Sequence, residues 1–326
     1  MTEPDRRTHL RAALSGARVM VIGDVMVDDY LWGEVQRVSP EAPVPLVELT
    51  HRTSAPGGAA NVARGVAALG GRAFLAGVVG DDADGVRLRA MVEASGVVGD
   101  GLLVAAGRPT TTKLRVIARG QHVVRIDHER RDDVSDSISR ELQDWAHARL
   151  PDVDAVVVSD YAKGVVSLDT CARVIAATNE AGIPVIVDPK GPDVLKYAGA
   201  SVITPNVREA ELAARAAPRR DADPIGSLAE QLAELLPGTS VLITRGGEGM
   251  LLRSADRRIT NIAVEARAVH DVTGAGDTVV ATLAVALAKG VALVDAARLA
   301  NRTAAIAVTR IGAVAVTLDD VADGQL

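Results

Sequence analysis

Aromatic residues are scarce in this sequence: one Phe, two Trp and three Tyr among 326 residues, 2% of the chain. A core must then be built from Val, Ala and Leu, which suits parallel strands with helices lying close against them. Cysteine is nearly absent. Cys171 has no second cysteine to pair with, so an intramolecular disulfide is excluded, and it reads as a small apolar helix residue. No uncharged apolar run reaches 18 residues and no secretory signal opens the chain, so a cytoplasmic protein with no membrane partner is expected. No basic run reaches five residues and the net charge is −6, which argues against a nucleic-acid partner held by bulk electrostatics. Two nucleotide motifs are also missing. There is no G-x-G-x-x-G after the first strand and no G-x-x-x-x-G-K-[ST], which disfavours a dinucleotide fold and a P-loop kinase.

Lysine is the last scarcity, with five among 36 basic residues, at positions 113, 163, 190, 196 and 289. An ammonium is a compact point charge suited to phosphate, so Lys163-Gly164 and Lys190-Gly191, in glycine-bearing loops, invite a functional reading. A solvated loop lysine is the plain alternative.

With 48% hydrophobic and 24% charged residues the chain can bury a large core. No repeat, low-complexity segment or linker divides it, so residues 1–326 are expected to form one α/β domain. A short helix is expected over 6–15. Continuous apolar runs predict buried strands at 18–23, 72–79, 155–159, 184–187, 201–204 and 240–244, with further strands near 249–253 and 258–264. Helical patterns follow at 135–150, 167–181, about 207–216, 225–236, 276–289 and 293–309. Most strands end in polar residues, which is how doubly wound sheets build a site at their carboxyl ends. The first strand ends in Asp24, Asp28 and Asp29, for which recognition of sugar hydroxyls is the preferred reading. Pro40, Pro43 and Pro45 mark 32–49 as an excursion from the main sheet. Residues 101–127 alternate with period two around Arg119-Gly120, an antiparallel hairpin. The two segments predict a small β lid over the strand ends, with a homodimer expected through it.

Glycine-bearing turns stand before two helical runs. Gly57-Gly58-Ala59-Ala60-Asn61 lets a backbone approach a ligand closely and places Asn61 in a first turn. Asp271-Val272-Thr273-Gly274-Ala275-Gly276-Asp277 leaves unpaired N–H groups at a helix start, where the dipole favours an anion, beside a carboxylate able to take a proton. Taken alone, this stretch reads better as an ordinary Asp N-cap with glycines spacing a tight loop, and it is the rest of the chain that overturns this.

Together with Asn206-x-x-Glu209 and Thr244-Arg245-Gly246-Gly247-x-Gly249, these turns resemble the ribokinase-like (PfkB) carbohydrate kinases in type, order and spacing, over nearly the whole chain. Within that family, Ser39–Pro45, Ser159–Gly164, Asp188–Gly191 and Val272–Thr278 are most similar to the kinase modules acting on D-glycero-D-manno-heptose 7-phosphate. The resemblance implies a ribokinase-like doubly wound, mostly parallel sheet with helices on both faces. It implies transfer of the ATP γ-phosphoryl group to the C1 hydroxyl of the heptose, within ADP-heptose biosynthesis. Asp277 would be the base, with Gly274, Ala275 and Gly276 as the anion hole. Asn206 and Glu209 would organise Mg²⁺ through water. Thr244, Gly247 and Gly249 would border the nucleotide. Asp28, Gly57, Gly58 and Asn61 would hold sugar hydroxyls. The substrate's own phosphate needs cations, and Arg37, Lys113, Lys163 and Lys190 are the candidates, with Lys190 assigned to the nucleotide side. A monovalent cation near Asp271 and Thr273 also follows from the resemblance. No H-x-G-H motif occurs, so a separate adenylyltransferase is expected downstream. The alternatives are another sugar or sugar phosphate (fructose 6-phosphate, tagatose 6-phosphate, ribose) or a non-catalytic sugar-phosphate or nucleotide sensor.

Overall fold

The computed structural model describes residues 12–214, 223–264, 269–310 and 312–323. Most of the helix expected over 6–15 and the polar stretch 218–221 lie outside them. Arg37 is described only in its backbone.

The strands are β1 (Arg18–Gly23), β2 (Val25–Val38), β3 (Pro45–Gly58), β4 (Arg72–Gly80), β5 (Val98–Ala105), β6 (Thr112–Ala118), β7 (Gln121–His128), β8 (Ala155–Ser159), β9 (Val185–Asp188), β10 (Val202–Ile203), β11 (Ser240–Thr244), β12 (Met250–Arg253) and β13 (Ile259–Ile262). The helices are α1 (Ala59–Ala68), α2 (Ala83–Ala94), α3 (Asp136–Arg149), α4 (Leu168–Glu180), α5 (Val207–Ala214), α6 (Pro224–Leu235), α7 (Ala275–Ala288), α8 (Leu293–Ala307) and α9 (Leu318–Asp323). Among the described residues nine strands form one sheet, ordered β13-β12-β11-β10-β9-β8-β1-β4-β5. Its pairs from β11 to β5 are parallel, and β12 and β13 add an antiparallel edge.

Central strands of such a sheet are apolar on both faces, and β1 shows why the run is continuous. Val19 and Val21 join a core with α1, α7 and α8, while Met20 and Ile22 join the opposite core with α3, α4 and α6. Small residues let these layers close up. A Cβ on Gly65 of α1 would lie 2.9 Å from Ala281 Cβ of α7. Among the described residues no helix is long and apolar enough to cross a membrane.

The second sheet has the order β3-β2-β6-β7 and stands at the carboxyl ends of the first. It is the expected lid, with different bounds. Val98–Ala105 pairs with β4 in the main sheet, so the lid does not begin at 101. At the other end β2 enters the lid at Val25, directly after β1, instead of at 32. The prolines behave as edge residues should: Pro40 and Pro43 lie in the β2–β3 turn, and Pro45 and Pro56 belong to β3, an edge strand. Arg119 and Gly120 have φ of 50° and 73°, the two positive values that a tight type I′ hairpin needs. Helix α9 was not foreseen; its six residues are too few for a helical period to show.

Candidate active site

The carboxyl ends of β8, β9, β10 and β11, the start of α7 and the lid strands β2, β6 and β7 enclose a cleft of about 470 Å³. Gly274, with φ of 76°, caps α7 in the left-handed region, and Asp277 follows in the first turn. Among the described residues the amides of Gly276 and Asp277 have no hydrogen-bond partner, and both residues line the cleft. This is an anion-binding helix start.

Asp277 is buried, 8% exposed. Its Oδ2 accepts a hydrogen bond from Asn61 Nδ2 at 2.5 Å, and its Oδ1 accepts one from the Tyr161 hydroxyl. Burial raises its pKa above the usual carboxylate value, and the two donors oppose that rise. Asn61 is itself oriented by Arg64, whose guanidinium donates to Asn61 Oδ1 at 2.7 Å and to the carbonyl of Ala313.

The three carboxylates after β1 separate into different tasks, and shared hydroxyl recognition is corrected for two of them. Asp24 is buried and accepts the amides of Tyr161, Lys163 and Val165 at 2.8, 3.0 and 3.1 Å, so it shapes the loop after β8. Asp29 pairs with Arg52 and Arg87 and accepts from Ser54, fastening β3 to α2. Asp28 alone lines the cleft, with Arg115 Nη1 at 2.5 Å from its Oδ1. Gly57 is needed there because a Cβ would fall 2.3 Å from Asp28 Oδ2, and Gly58, with φ of 58°, turns the chain into α1.

Under the lid Lys113, Arg115, Arg125, Arg131 and Lys163 gather round Asp28, Asp127 and Glu129. Lys163 Nζ lies 2.7 Å from Glu129 Oε1, and Lys113 Nζ is 3.8 Å from Glu129 Oε2. Burial lowers the Lys113 pKa. Five cations against three carboxylates leave a surplus of two positive charges at this end.

Lys190 stands elsewhere, with Nζ 2.5 Å from Glu209 Oε1. Asn206 and Glu209 form a reciprocal capping box at the start of α5: Asn206 N donates to Glu209 Oε2 at 3.0 Å, and Glu209 N to Asn206 Oδ1 at 2.9 Å. Their spacing therefore has a structural explanation beside the proposed metal role. Near them Asp188 is half-buried at the end of β9, and among the described residues its carboxylate is hydrogen-bonded only by Thr204 Oγ1, at 3.5 Å. Burial, reinforced by Asp277, pushes its pKa well up. Asp271 is engaged by the Thr273 amide and hydroxyl and by the Gly312 amide, so it ties the turn before α7 to the chain beyond α8.

Thr244 and Gly276 are shared with a second, apolar hollow of about 170 Å³, lined by Met250, Val269, Val272, Val279, Ala305 and Val308. Gly247 borders it in open space. Gly249 is fixed by its turn: φ is 83° and a Cβ would lie 2.1 Å from the Ile262 carbonyl oxygen. An apolar slot opening onto an anion-binding helix start, a buried carboxylate and a cationic pocket is an arrangement suited to phosphoryl transfer.

A pfkB family carbohydrate kinase pattern spans residues 17–320. The chain belongs to this family. Solved structures share its fold: a putative ribokinase from Agrobacterium tumefaciens superposes with TM-score 0.77 at 22% identity, covering 94% of this chain and 96% of that one. Phosphofructokinase-2 from Escherichia coli, in complex with potassium, gives 0.74 at 19% identity over 94% and 97%. Among curated relatives, the bifunctional protein HldE of Caulobacter sp. is 46% identical over 97% of this chain, and that of Halorhodospira halophila 47% over 92%. The chain spans 64% and 61% of those two proteins.

Placed within a pfkB kinase, the expected residues fall into groups. Asp277, Gly274 and Gly276 meet Asn61 and Gly58 at one point, and Lys113 and Lys163 share one pocket with Asp28; Ala275 is corrected, since its amide donates to the Val272 carbonyl at 3.2 Å and it lines only the apolar slot. Arg115, Arg125, Glu129 and Arg131 were not foreseen, and Tyr161 and Asp188 lie within the motifs Ser159–Gly164 and Asp188–Gly191 without having been given a role. The hairpin alternation carried part of that signal, since Lys113 pairs with Asp127 and Arg115 with Arg125 in the register of β6 and β7.

Proposed function

We propose that this chain is an ATP-dependent kinase for the C1 hydroxyl of D-glycero-D-manno-heptose 7-phosphate, yielding the 1,7-bisphosphate used in ADP-heptose biosynthesis. The observation that carries the reading is the place of Asp277, between the apolar slot and the lid pocket whose surplus of two positive charges matches a phosphate dianion. The heptose itself rests on the motif resemblance. The curated relatives are named bifunctional, and their whole-length activities exceed what this chain spans.

In the proposed reaction the adenine lies in the slot beside Gly247 and Gly249, and the polyphosphate runs past Thr244 to the amides of Gly276 and Asp277. The lid cations Lys113, Arg131 and Lys163 hold the sugar phosphate, and Asp28 and Asn61 face the sugar hydroxyls. Asp277 accepts the C1 hydroxyl proton as the C1 oxygen bonds to the γ-phosphorus, and the bond to the β–γ bridging oxygen breaks to release ADP. Desolvated fixed amides stabilise the developing charge without reorganising. The hard oxygen donors Asn206, Glu209 and the under-bonded Asp188 suit Mg²⁺, which would neutralise nucleotide phosphate charge while keeping much of its water. Dependence on a monovalent cation beside Asp271 is read by replacing potassium with tetramethylammonium.

The homodimer through the lid and the separate adenylyltransferase draw no support from relatives named bifunctional. A lid dimer rests instead on edge strand β7, which exposes Val123, Val124 and Ile126, and light scattering tests it. Phosphorus NMR of the product tests the reaction: a new anomeric phosphate resonance beside the retained 7-phosphate supports it, and ADP release without that resonance contradicts it.

A further inference from the structure

The loop after β8 is built more firmly than a solvent loop requires. Asp24 accepts its amides at Tyr161, Lys163 and Val165. Ala162 has φ of 54°, an uncommon value for a residue with a Cβ, and its amide donates to Asp160 Oδ1 at 2.7 Å. Asp160 is in turn locked by the Tyr197 hydroxyl at 2.7 Å and by Lys196. What this scaffold presents to the cleft is the Tyr161 side chain, whose hydroxyl donates to Asp277 Oδ1.

We propose that Tyr161 is a positioning residue for phosphoryl transfer, holding the Asp277 carboxylate in its working orientation and acting on the reaction through it. The inference rests on the reading of Asp277 as the base. With Asn61 on one oxygen and Tyr161 on the other, rotation of the carboxylate about its Cβ–Cγ bond is restrained at the wall of the cleft that Asp277 lines. Burial and Asp277 push the Tyr161 pKa well above 10, so this phenol stays protonated and donates.

The groups facing Asp277 are Asn61 and Arg64 from α1, Tyr161 from the β8–α4 loop, Asp28 from β2 and Asp188 from β9. Burial and Asp28 favour its protonated form, whereas Asn61, Tyr161 and Arg64 favour the ionised form that a base requires. Removing the phenol oxygen removes one stabiliser of the anion, so the Asp277 pKa rises. A base is active above its pKa, so the acid limb of the rate profile must move to higher pH.

The test is kcat/KM for the sugar phosphate against pH in wild type, Tyr161→Phe and Asp277→Asn, with thermal unfolding of each. Tyr161→Phe is expected to move the acid limb up by about one pH unit, with the KM for ATP unchanged. An unmoved limb in a folded variant overturns the inference. Should Tyr161→Phe not fold, 3-fluorotyrosine placed at 161 donates more strongly and is expected to move the limb the other way; no movement again overturns it. If Asp277→Asn abolishes turnover and neither Tyr161 variant moves the limb, this inference fails alone. If Asp277→Asn turns over as wild type does, the base assignment fails and takes this inference with it.

Discussion

Asn61 and Asp277 stand 216 positions apart in sequence, yet Asn61 Nδ2 is 2.5 Å from Asp277 Oδ2. The contact exists because α1 and α7 pack on the same face of the sheet and each begins at a glycine with positive φ, Gly58 at 58° and Gly274 at 76°. Two helix starts are thereby brought together at the strand ends, one carrying a donor and one the carboxylate proposed as the base. Asp277→Asn keeps the volume and removes the base, so kcat should fall about 10³-fold while the Kd for ATP changes less than twofold, measured by stopped assay and calorimetry.

Gly276 separates nucleotide binding from stability. A Cβ there meets nothing within 4 Å and would project into the mouth joining slot and cleft. Gly276→Val should leave the Tm the same or slightly higher, because a helix gains from losing glycine. The KM for ATP should rise at least about tenfold, the cost of obstructing charge-assisted hydrogen bonds.

The lid pocket should read the sugar phosphate and not the nucleotide. Lys163→Ala removes a buried ammonium 2.7 Å from Glu129 and exposes that carboxylate to any incoming phosphate. The KM for the phosphorylated sugar should rise about 10- to 100-fold, with that for ATP within about twofold. Steady-state kinetics with each substrate varied in turn checks this.

Lys196 tests the scaffold beneath Tyr161. It pairs with Asp160, whose side chain is 1% exposed, so Lys196→Met strands a buried charge. Breaking such a pair costs about 3 kcal/mol, readable as a lower urea midpoint with unchanged m.

Acid stability should report the strand of chain beyond α8. Hydrogen bonding from Arg310 lowers the Asp320 pKa to about 2 from an ordinary 3.8. A depressed carboxylate stabilises the fold above its unfolded pKa, and that contribution disappears as pH falls from about 4 to about 2. In Arg310→Ala the drop in Tm across this window should be shallower than in wild type, as measured by calorimetry at stepped pH.

The fold was legible because its signals are local: apolar runs ending in polar residues gave the strands, and glycine turns gave the two helix starts. Asp277, Asn61 and the small-residue turns could be read for the same reason. What escaped depended on three-dimensional pairing. Asp24 and Asp29 look like Asp28 in sequence, and only the partners Arg52, Arg87 and the 161–165 amides show that they are structural. Tyr161 gives no periodic signal, since its role comes from a loop shaped by Asp24 and Asp160. The lid began earlier than expected because β1 and β2 are separated by Asp24 alone, so one apolar stretch feeds two sheets.

In the proposed reaction the two-charge surplus under the lid selects a phosphorylated sugar whose C1 hydroxyl reaches Asp277. The measurement is kcat/KM, with ATP and Mg²⁺, for heptose 7-phosphate beside fructose 6-phosphate, tagatose 6-phosphate, ribose and unphosphorylated heptose. Heptose 7-phosphate is expected to exceed ribose and unphosphorylated heptose at least about 100-fold, because these leave the charged pocket unpaired, and to exceed both hexose 6-phosphates as well. A higher value for any of the four contradicts this expectation.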